Sequence, residues 1–392
     1  MLYYFIIYAI IYNCEVECLF YPFFYTKGLF IPSERTYYMK KHHSFSRVAA
    51  LICIIAMAAS LFSGCKDSYT ENTSFAMGSI LTSKIYTDDE ELAKELSRNI
   101  SNVAAAADRA LSATNEEAEI YMLNRDGTVY ASEYLEKTFS DIILMCNILG
   151  KNTDITIGKV SSLWGFATEN PSLPSDSDIK EALKYVGIEK ILMDDNSAKI
   201  TLDEDSVIDL GAFGKGAACD CIYDTVKQKG VPVIVSMGGT VMAYGKGPKN
   251  DSWTIGIRNP SGNVNESFAT LSLNTSDYSK GAVFVSTSGS YEKQFTENGK
   301  TYHHILDPKT GYPVENDLVS VSVVSSSGLS ADALSTALFV NGFNDQALGY
   351  LESFSAEAVF VFSDGSYYVT EGLRDSFTLK NKDFTEKVYE EN

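Results

Sequence analysis

The hydrophobic pattern of the chain changes near its middle, and this change most constrains the fold. Before about residue 190, apolar residues recur at the three-to-four spacing of amphipathic helices. This spacing predicts helices over 88–112, 132–149 and about 178–186. After residue 230, the apolar residues form short runs rich in Val, Ile and Phe, which are typical of strands. The runs are VPVIVSM, SWTIGI, AVFVST, LVSVSVVS and AEAVFVFS. Helices followed by an antiparallel-leaning strand series with interspersed helices predict an α+β fold rather than a doubly wound parallel sheet.

Two dipeptides predict hairpins within the strand series. Asn298-Gly299 joins SYEKQFTE to KTYHHILD, and Asp364-Gly365 joins AEAVFVFS to SYYVTEGL. Both pairs tolerate the positive φ angles of a tight hairpin turn. In the second predicted helix, Cys146 falls on the apolar stripe, which predicts that this thiol lies in the core.

Charge and cysteine usage exclude several function classes. The chain carries 51 acidic and 32 basic side chains, a formal net charge of -19, so it has no sequence-wide basic surface for nucleic acid. None of its seven Cys stand in a CxxC pair, which argues against a zinc ribbon, a thioredoxin-like site or a disulfide framework.

Residues 39–64 have the pattern of an export signal. A basic start is followed by an apolar run from Val48 to Phe62, and then by Ser63 and Gly64 before Cys65. This resembles the bacterial lipobox, in which Cys65 would be acylated. The alternatives are an uncleaved transmembrane anchor or a buried helix, but the run is about 15 residues, short of the roughly 20 that span a bilayer. We therefore expect a lipoprotein on the outer face of the cytoplasmic membrane.

The predicted signal peptide separates residues 1–38 from the part of the chain that would be exported. Translation from Met39 is the simplest explanation for residues 1–38, and a first hydrophobic segment of a longer protein is the alternative. After Cys65 we expect a polar tether over 65–74 and a folded domain over 75–392 that Phe75 opens.

The segment DLGAFGKGAACD, Asp209 to Asp220, places three glycines between a predicted strand ending near Ile208 and a helix running to about Gln228. Such a loop lets backbone N–H groups approach an anion, and the positive helix N-terminus and Lys215 add to the attraction. An ordinary strand-to-helix turn is the alternative. Cys219 and Cys221 lie in the predicted helix and are expected to serve packing rather than metal binding.

Two adjacent histidines follow in YHHILDP. If this segment is a strand, His303 and His304 point to opposite faces, so only one faces a given cavity. A surface imidazole pair is the alternative. The turn after them, built on Asp307, Pro308, Thr310 and Gly311, brings backbone and side-chain oxygens together.

A third motif, SADALSTALFV, places hard oxygen ligands on one helix face. Ser330 is predicted as the helix N-cap, with Asp332 in the first turn and Thr336 four residues later. A carboxylate and a hydroxyl stacked in this way suit Mg²⁺. Dipole complementarity at a helix start is the alternative reading of Asp332.

Together with SMGGTVMAYG, SWTIGIRNP and STSGSYEKQF, these motifs resemble the ApbE family, from FAMGS near residue 75 to about residue 370. The family comprises exported FAD:protein FMN transferases, which use Mg²⁺ to transfer FMN from FAD to a Thr or Ser hydroxyl of a partner protein. The resemblance implies an ApbE-like, T-fold-related domain with FAD as substrate. It also implies a membrane-associated redox subunit with a Thr- or Ser-containing acceptor motif as partner.

The resemblance also implies residue roles. The positions that match FAD contacts are Met77, Asn152, Thr153, Asp154, Asp209, Lys215 and Ile305, and Asn152-Thr153 replaces the family's Ala-Phe. The positions that match metal ligands are Ala212, Asp332 and Thr336, with Ser335 a weaker candidate. For the transfer step we expect His304 as general base, Asp307 as its orienting partner and Lys215 at the phosphates.

Three other functions remain open at this point. The same fold acting as an FAD pyrophosphatase would release FMN and AMP to water. A non-enzymatic flavin-binding lipoprotein would bind FAD without Mg²⁺ and yield no AMP. A solute-binding lipoprotein would show two similar α/β lobes, which the contrast between the two halves of the chain does not favour.

Overall fold

The computed structural model describes residues 69–194, 196–203, 205–263 and 265–389. All of them fall within one unit, Asp67–Asn392. The predicted signal peptide, Cys65 and residues 1–38 lie outside the described residues. Within the described ranges, none of the helices combines the length and the apolar character needed to cross a bilayer.

Eight helices and seventeen strands make up the described part of the chain. The helices are α1 Glu90–Leu111, α2 Glu119–Asp126, α3 Glu133–Leu149, α4 Gly158–Trp164, α5 Asp176–Ala182, α6 Gly214–Val226, α7 Gly328–Asn341 and α8 Asp345–Ser353. The strands are β1 Thr70–Ala76, β2 Ser79–Ile85, β3 Thr128–Tyr130, β4 Ile191–Asp194, β5 Lys199–Leu202, β6 Val233–Met237, β7 Thr240–Tyr244, β8 Trp253–Arg258, β9 Ser267–Leu273, β10 Ala282–Gly289, β11 Gln294–Glu297, β12 Lys300–His303, β13 Leu318–Ser325, β14 Glu357–Phe362, β15 Ser366–Val369, β16 Phe377–Leu379 and β17 Thr385–Glu386.

A nine-stranded sheet organises the fold, in the order β1-β2-β6-β7-β10-β13-β14-β15-β17. Its neighbouring strands are antiparallel except for the parallel pair β15–β17. Three small antiparallel sheets accompany it: β16-β9-β8, β3-β5-β4 and the β11–β12 hairpin. The predicted α+β class, with a largely antiparallel sheet system, is confirmed.

Apolar side chains are buried on both faces of the large sheet. Helices α1, α6 and α7 pack on one face, where they form the main core with β2, β6, β10 and β13. The sheet β16-β9-β8 covers the other face through residues such as Trp253 and Phe268. A third cluster surrounds Trp164, whose indole Nε1–H donates to the carbonyl of Gly311 at 2.8 Å. α6, which follows the glycine loop, and α7 thus pack on the same face of the large sheet.

The predicted helices are confirmed with small shifts at their ends. α1 and α3 match the predicted spans 88–112 and 132–149, and Ser132 caps α3 by accepting from the N–H of Leu135 at 3.2 Å. The third predicted helix is α5, extended by a short 3₁₀ turn to Tyr185. Cys146 is buried, as its place on the stripe predicted, and burial raises the pKa of its thiol to about 12.

Both predicted hairpins form, but their turns differ. Asn298 and Gly299 both have positive φ, 52° and 79°, and link β11 to β12 in a two-residue turn. In the turn between β14 and β15, only Gly365 has positive φ, 81°. Asp364 contributes there through its side chain, which accepts from the N–H of Ser366 at 2.8 Å.

The described part of the chain begins with strands rather than with helices, which corrects the prediction. The hairpin β1–β2 precedes α1, and β1 already starts at Thr70. The predicted tether over 65–74 is therefore too long, because residues 70–74 belong to β1. β1 is an edge strand with three exposed positions, so its sequence is too polar to resemble the buried strand runs.

Candidate active site

The start of α6 and the start of α7 meet at a pair of glycines. A Cβ on Gly216 would lie 2.1 Å from the carbonyl oxygen of Gly328 and 2.6 Å from the Cβ of Asp332. Because neither glycine has a side chain, the two helices approach closely enough for the N–H of Gly216 to donate to Asp332 Oδ2 at 2.9 Å. The glycine loop thus reaches the carboxylate directly.

α7 starts earlier than the sequence predicted. Its N-cap is Ser327, whose hydroxyl accepts from the N–H of Ser330 at 3.3 Å, so Ser330 lies inside the helix. Asp332 consequently stands in the second turn rather than the first, and only 4% of it is exposed. A carboxylate buried to this extent needs hydrogen bonds or a cation, and simple complementarity to the helix dipole does not account for it.

β10 supplies hydroxyl groups to this carboxylate. Ser286 donates to Asp332 Oδ1 at 2.8 Å, and Thr240 at the start of β7 lies 2.9 Å from the Ser286 hydroxyl. Two residues further along the same face of β10, Ser288 lies 2.8 Å from the hydroxyl of Ser335 and 2.9 Å from that of Thr336. The predicted ligands Asp332, Ser335 and Thr336 are therefore brought together.

Lys215 lies beside two turns of the large sheet. Its Nζ donates to the carbonyl of Gly211 at 3.2 Å. A Cβ on Gly238, in the β6–β7 turn, would lie 3.6 Å from Lys215 Cδ and 2.8 Å from the Ser79 hydroxyl. The β6–β7 turn therefore lies beside both the aliphatic part of the Lys215 side chain and Ser79 at the start of β2, while the ammonium group itself bonds to the glycine loop.

The glycine loop has an internal support that the sequence did not predict. Asp209 accepts from the N–H of Gly211 at 2.8 Å and from the Ser161 hydroxyl at 2.7 Å, so its carboxylate orders the turn.

No strand ends at Ile208, which corrects the prediction. The neighbouring Val207 forms only an isolated bridge to Ile157, and Ala212 follows in the loop, half-buried. α6 ends near the predicted position, at Val226, and Cys219 is buried within it.

Met77 lies over the first residue of α6. It occupies the β1–β2 turn with φ 53°, and its N–H donates to Asp108 Oδ1 at 2.9 Å. A Cβ on Gly214 would lie 2.8 Å from Met77 Cε, so the thioether reaches the glycine loop. Met77, which the resemblance assigns to the FAD site, therefore lies against the loop that carries Lys215.

The two histidines have different surroundings, and the surface-pair alternative does not hold. β12 ends at His303, whose Nε2 lies 3.0 Å from the carbonyl of Val314 and whose ring packs edge-on against Phe339. His304 follows the strand, and its N–H donates to the carbonyl of Lys293 at 3.0 Å. Its Nδ1 is buried, and no described residue hydrogen bonds to it.

Burial and positive charge both disfavour the protonated form of His304. Burial, followed by the charges of Lys293, His303 and Lys215, lowers its pKa to about 4. The imidazole is therefore neutral at pH 7, with a ring nitrogen that has no partner in the described structure. The contribution of Lys215 also places the glycine loop within electrostatic reach of His304.

Asp307 does not orient His304 in this structure. Its Oδ1 accepts from the N–H of Lys309 at 2.8 Å, and its carbonyl accepts from Thr310 and Gly311. Within the described ranges, no hydrogen bond joins Asp307 to His304. The carboxylate instead stabilises the turn that the sequence predicted.

The 152–154 segment lies against this same turn. Asn152 and Thr153 are buried, and Asn152 Oδ1 accepts from Lys309 Nζ at 3.2 Å, a contact that the sequence did not predict. Asp154 accepts from both the N–H and the hydroxyl of Thr156, and burial raises the pKa of its carboxyl. Ile305 is buried next to the turn.

The available donors fit a hard divalent cation rather than a soft one. In the described ranges, no three His, Cys, Asp or Glu side chains cluster in a way that could hold a metal. Asp332 is accompanied instead by hydroxyl groups and by the backbone of the glycine loop. Mg²⁺ is commonly held by one or two carboxylates together with water and substrate phosphate, so this donor set is compatible with it.

Comparison with known proteins gives the same family along most of the chain. The model of the ApbE family matches residues 77–360. The chain is 29% identical over 334 residues to the FAD:protein FMN transferase of Haemophilus influenzae, covering 81% of this chain and 94% of that protein. It is 30% identical over 319 residues to the FAD:protein FMN transferase of Escherichia coli K12, covering 76% and 87% of the two chains.

Solved structures show the same fold. The ApbE protein of Thermotoga maritima superimposes with a TM-score of 0.72 at 27% identity, over 79% of this chain and 99% of that chain. The apo flavinyl transferase ApbE of Pseudomonas stutzeri superimposes with a TM-score of 0.67 at 26% identity, over 79% and 97%.

Proposed function

Since this chain belongs to the ApbE family, we propose that it is an exported, Mg²⁺-dependent enzyme that transfers FMN from FAD to a Thr or Ser hydroxyl of a partner protein and releases AMP. Its class is that of an FAD:protein FMN transferase, the name carried by its curated relatives. The observation that carries the proposal is a buried carboxylate bonded to the glycine loop that carries Lys215, together with a neutral imidazole, His304, whose pKa the charge of Lys215 helps to lower.

Each group has a chemical task in the transfer. The acceptor hydroxyl oxygen attacks the FMN-side phosphorus, the bond from that phosphorus to the AMP oxygen breaks, and the acceptor proton must be removed. His304 is the proposed proton acceptor, since its ring is neutral at pH 7. The negative pyrophosphate of bound FAD would raise the pKa of His304 from about 4, which makes it a stronger base when substrate is present.

The phosphates require positive charge and N–H donors. Lys215 and the N–H groups at the start of α6 are the proposed donors. The lysine supplies a full positive charge, and the N–H groups belong to a helix N-terminus, which attracts anions. Mg²⁺, held by Asp332, Thr336, the backbone of Ala212 and, more weakly, Ser335, would neutralise charge on the phosphate oxygens. Met77, Asn152, Thr153, Asp154, Asp209 and Ile305 are the proposed lining of the FAD site.

The acceptor is proposed to be a membrane-associated redox subunit with a Thr- or Ser-containing motif. We propose acylation of Cys65 as the anchor that holds the enzyme on the outer face of the cytoplasmic membrane. Two or three acyl chains are sufficient for stable membrane attachment. The net charge of -19 leaves nucleic acid outside the proposed partners.

Mass spectrometry of the acceptor tests the proposed activity. The purified protein is incubated with FAD, Mg²⁺ and a candidate redox subunit, and the acceptor should gain the mass of one FMN. EDTA or Asp332→Asn should abolish the gain, whereas Asp375→Asn, which changes an exposed carboxylate, should not. Free FMN and AMP without a mass gain would indicate a pyrophosphatase, and intact FAD would indicate a binding protein.

A further inference from the structure

The carboxylate of Asp332 is fixed by two separate elements of the fold. α6 provides the Gly216 N–H to Oδ2 at 2.9 Å, and β10 provides the Ser286 hydroxyl to Oδ1 at 2.8 Å. An aspartate side chain has two rotatable bonds, and these two contacts leave its carboxylate plane one orientation. A carboxylate offers about four acceptor positions, so oxygen lone pairs remain for a cation.

The hydroxyl groups form a chain with a defined direction. An ionised carboxylate can only accept hydrogen bonds, so the Ser286 hydroxyl must donate its one proton to Asp332. The Ser286 oxygen is then free to accept from Thr240, which lies at 2.9 Å, closer than the 3.4 Å between Thr240 and Asp332. Thr240 therefore donates to Ser286, and Ser286 donates to Asp332. Ser286 is itself buried, with only 1% of its surface exposed.

The chain of hydroxyls is built into tightly packed backbone. Thr240 directly follows the β6–β7 turn, where a Cβ on Gly239 would lie 2.8 Å from the carbonyl oxygen of Thr287. Thr240 and Ser286 are also paired across β7 and β10, which fixes the separation of their side chains. Neither hydroxyl belongs to the ligand set proposed above.

We propose that Ser286 is a positioning residue, supported by Thr240, that holds the Asp332 carboxylate in the orientation required to bind the divalent cation. This inference rests on the proposed function, in which Asp332 is a metal ligand. Groups that orient a metal ligand commonly change metal affinity by about 10- to 100-fold. A preoriented carboxylate would lose less conformational freedom when the cation binds.

Matched substitutions separate this role from simple packing. Ser286→Ala removes the donor, Thr240→Val removes the supporting hydroxyl at nearly constant shape, and Thr240→Ser keeps it. Thr287→Val is the control, since the Thr287 hydroxyl contacts Ser322 on the neighbouring strand at 2.7 Å and Thr287 alternates with Ser286 along β10.

The cation used is Mn²⁺, titrated into full-length protein saturated with FAD while free Mn²⁺ is followed by electron paramagnetic resonance. Ser286→Ala should weaken Mn²⁺ binding about tenfold. Thr240→Val should weaken it less, and Thr240→Ser and Thr287→Val should match the wild type. With Mg²⁺ in the transfer assay, the KM for Mg²⁺ should rise while kcat at saturating Mg²⁺ is retained. FAD affinity measured in EDTA should not change.

Asp332→Asn distinguishes the two ways in which the proposal fails. If wild type and Asp332→Asn bind Mn²⁺ equally, Asp332 is not a ligand and the positioning role falls with it. If Asp332→Asn loses binding while Ser286→Ala and Thr240→Val do not, the metal assignment stands and the positioning role alone is refuted. Should Ser286→Ala fail to fold, the contrast between Thr240→Val and Thr240→Ser decides the outcome.

Discussion

The largely buried imidazole of His304 should make folding stability depend on pH. Its pKa is about 4 in the folded protein, against about 6.5 in an unfolded chain. Between these values the unfolded state binds a proton that the folded state does not, so stability falls as the pH is lowered. Above pH 6.5 both states are neutral and the effect disappears.

The two pKa values give the size of the effect. At pH 5 the unfolded His304 is almost fully protonated and the folded one largely neutral, which costs about 2 kcal/mol of the free energy of unfolding relative to pH 7. This is a sizeable part of the roughly 5–15 kcal/mol that stabilises a typical domain. The chain carries 51 Asp and Glu side chains, which add their own pH dependence, so the total change in stability does not isolate His304.

Comparing the pH dependence of stability in wild type and in His304→Asn isolates the contribution of this histidine. Urea unfolding of both proteins at pH 7 and pH 5 gives four free energies, and the variant should lose about 2 kcal/mol less than the wild type over this interval. NMR titration of the imidazole resonances measures the folded pKa directly. An equal loss in both proteins, or a folded pKa near 6.5, would refute the argument that burial keeps this ring neutral.

Three further predictions test the site. Gly216→Ala should lower the free energy of unfolding in urea by several kcal/mol, because the added Cβ would overlap the backbone of Gly328. The control is Gly349→Ala in α8, where nothing lies within 4 Å of the added Cβ, and it should change this free energy by no more than about 1 kcal/mol. Lys215→Met should raise the pKa of His304 in an NMR titration and weaken FAD binding measured by flavin fluorescence, while Lys249→Met, an exposed change, should do neither. Trp164→Phe should lower the melting temperature, because it leaves the Gly311 carbonyl without its 2.8 Å donor; an unchanged melting temperature would contradict that role.

The local pattern of apolar residues was sufficient to predict the long helices and the buried strands. α1 and α3 have strong apolar stripes, and the Asn298-Gly299 turn follows from the freedom of both residues to adopt positive φ. The hairpin β1–β2 was not predicted, since an edge strand exposes alternate side chains and lacks a continuous apolar run. The start of α7 was misplaced because Ser327 and Ser330 are both acceptable caps, and the packing of Gly328 on Gly216 selects the earlier one.

The sequence alone determined which groups are available for chemistry: the glycine loop with Lys215, the histidine pair and the Asp332–Thr336 spacing. It also placed them in an ordered series that resembles one family. Only the tertiary structure decided how these groups are supported. Asp332 is held by Ser286, 46 residues away, and by Gly216, 116 residues away, and His304 is kept neutral by burial and by lysines from other elements. Such contacts depend on strand register and helix packing, which local sequence patterns do not encode.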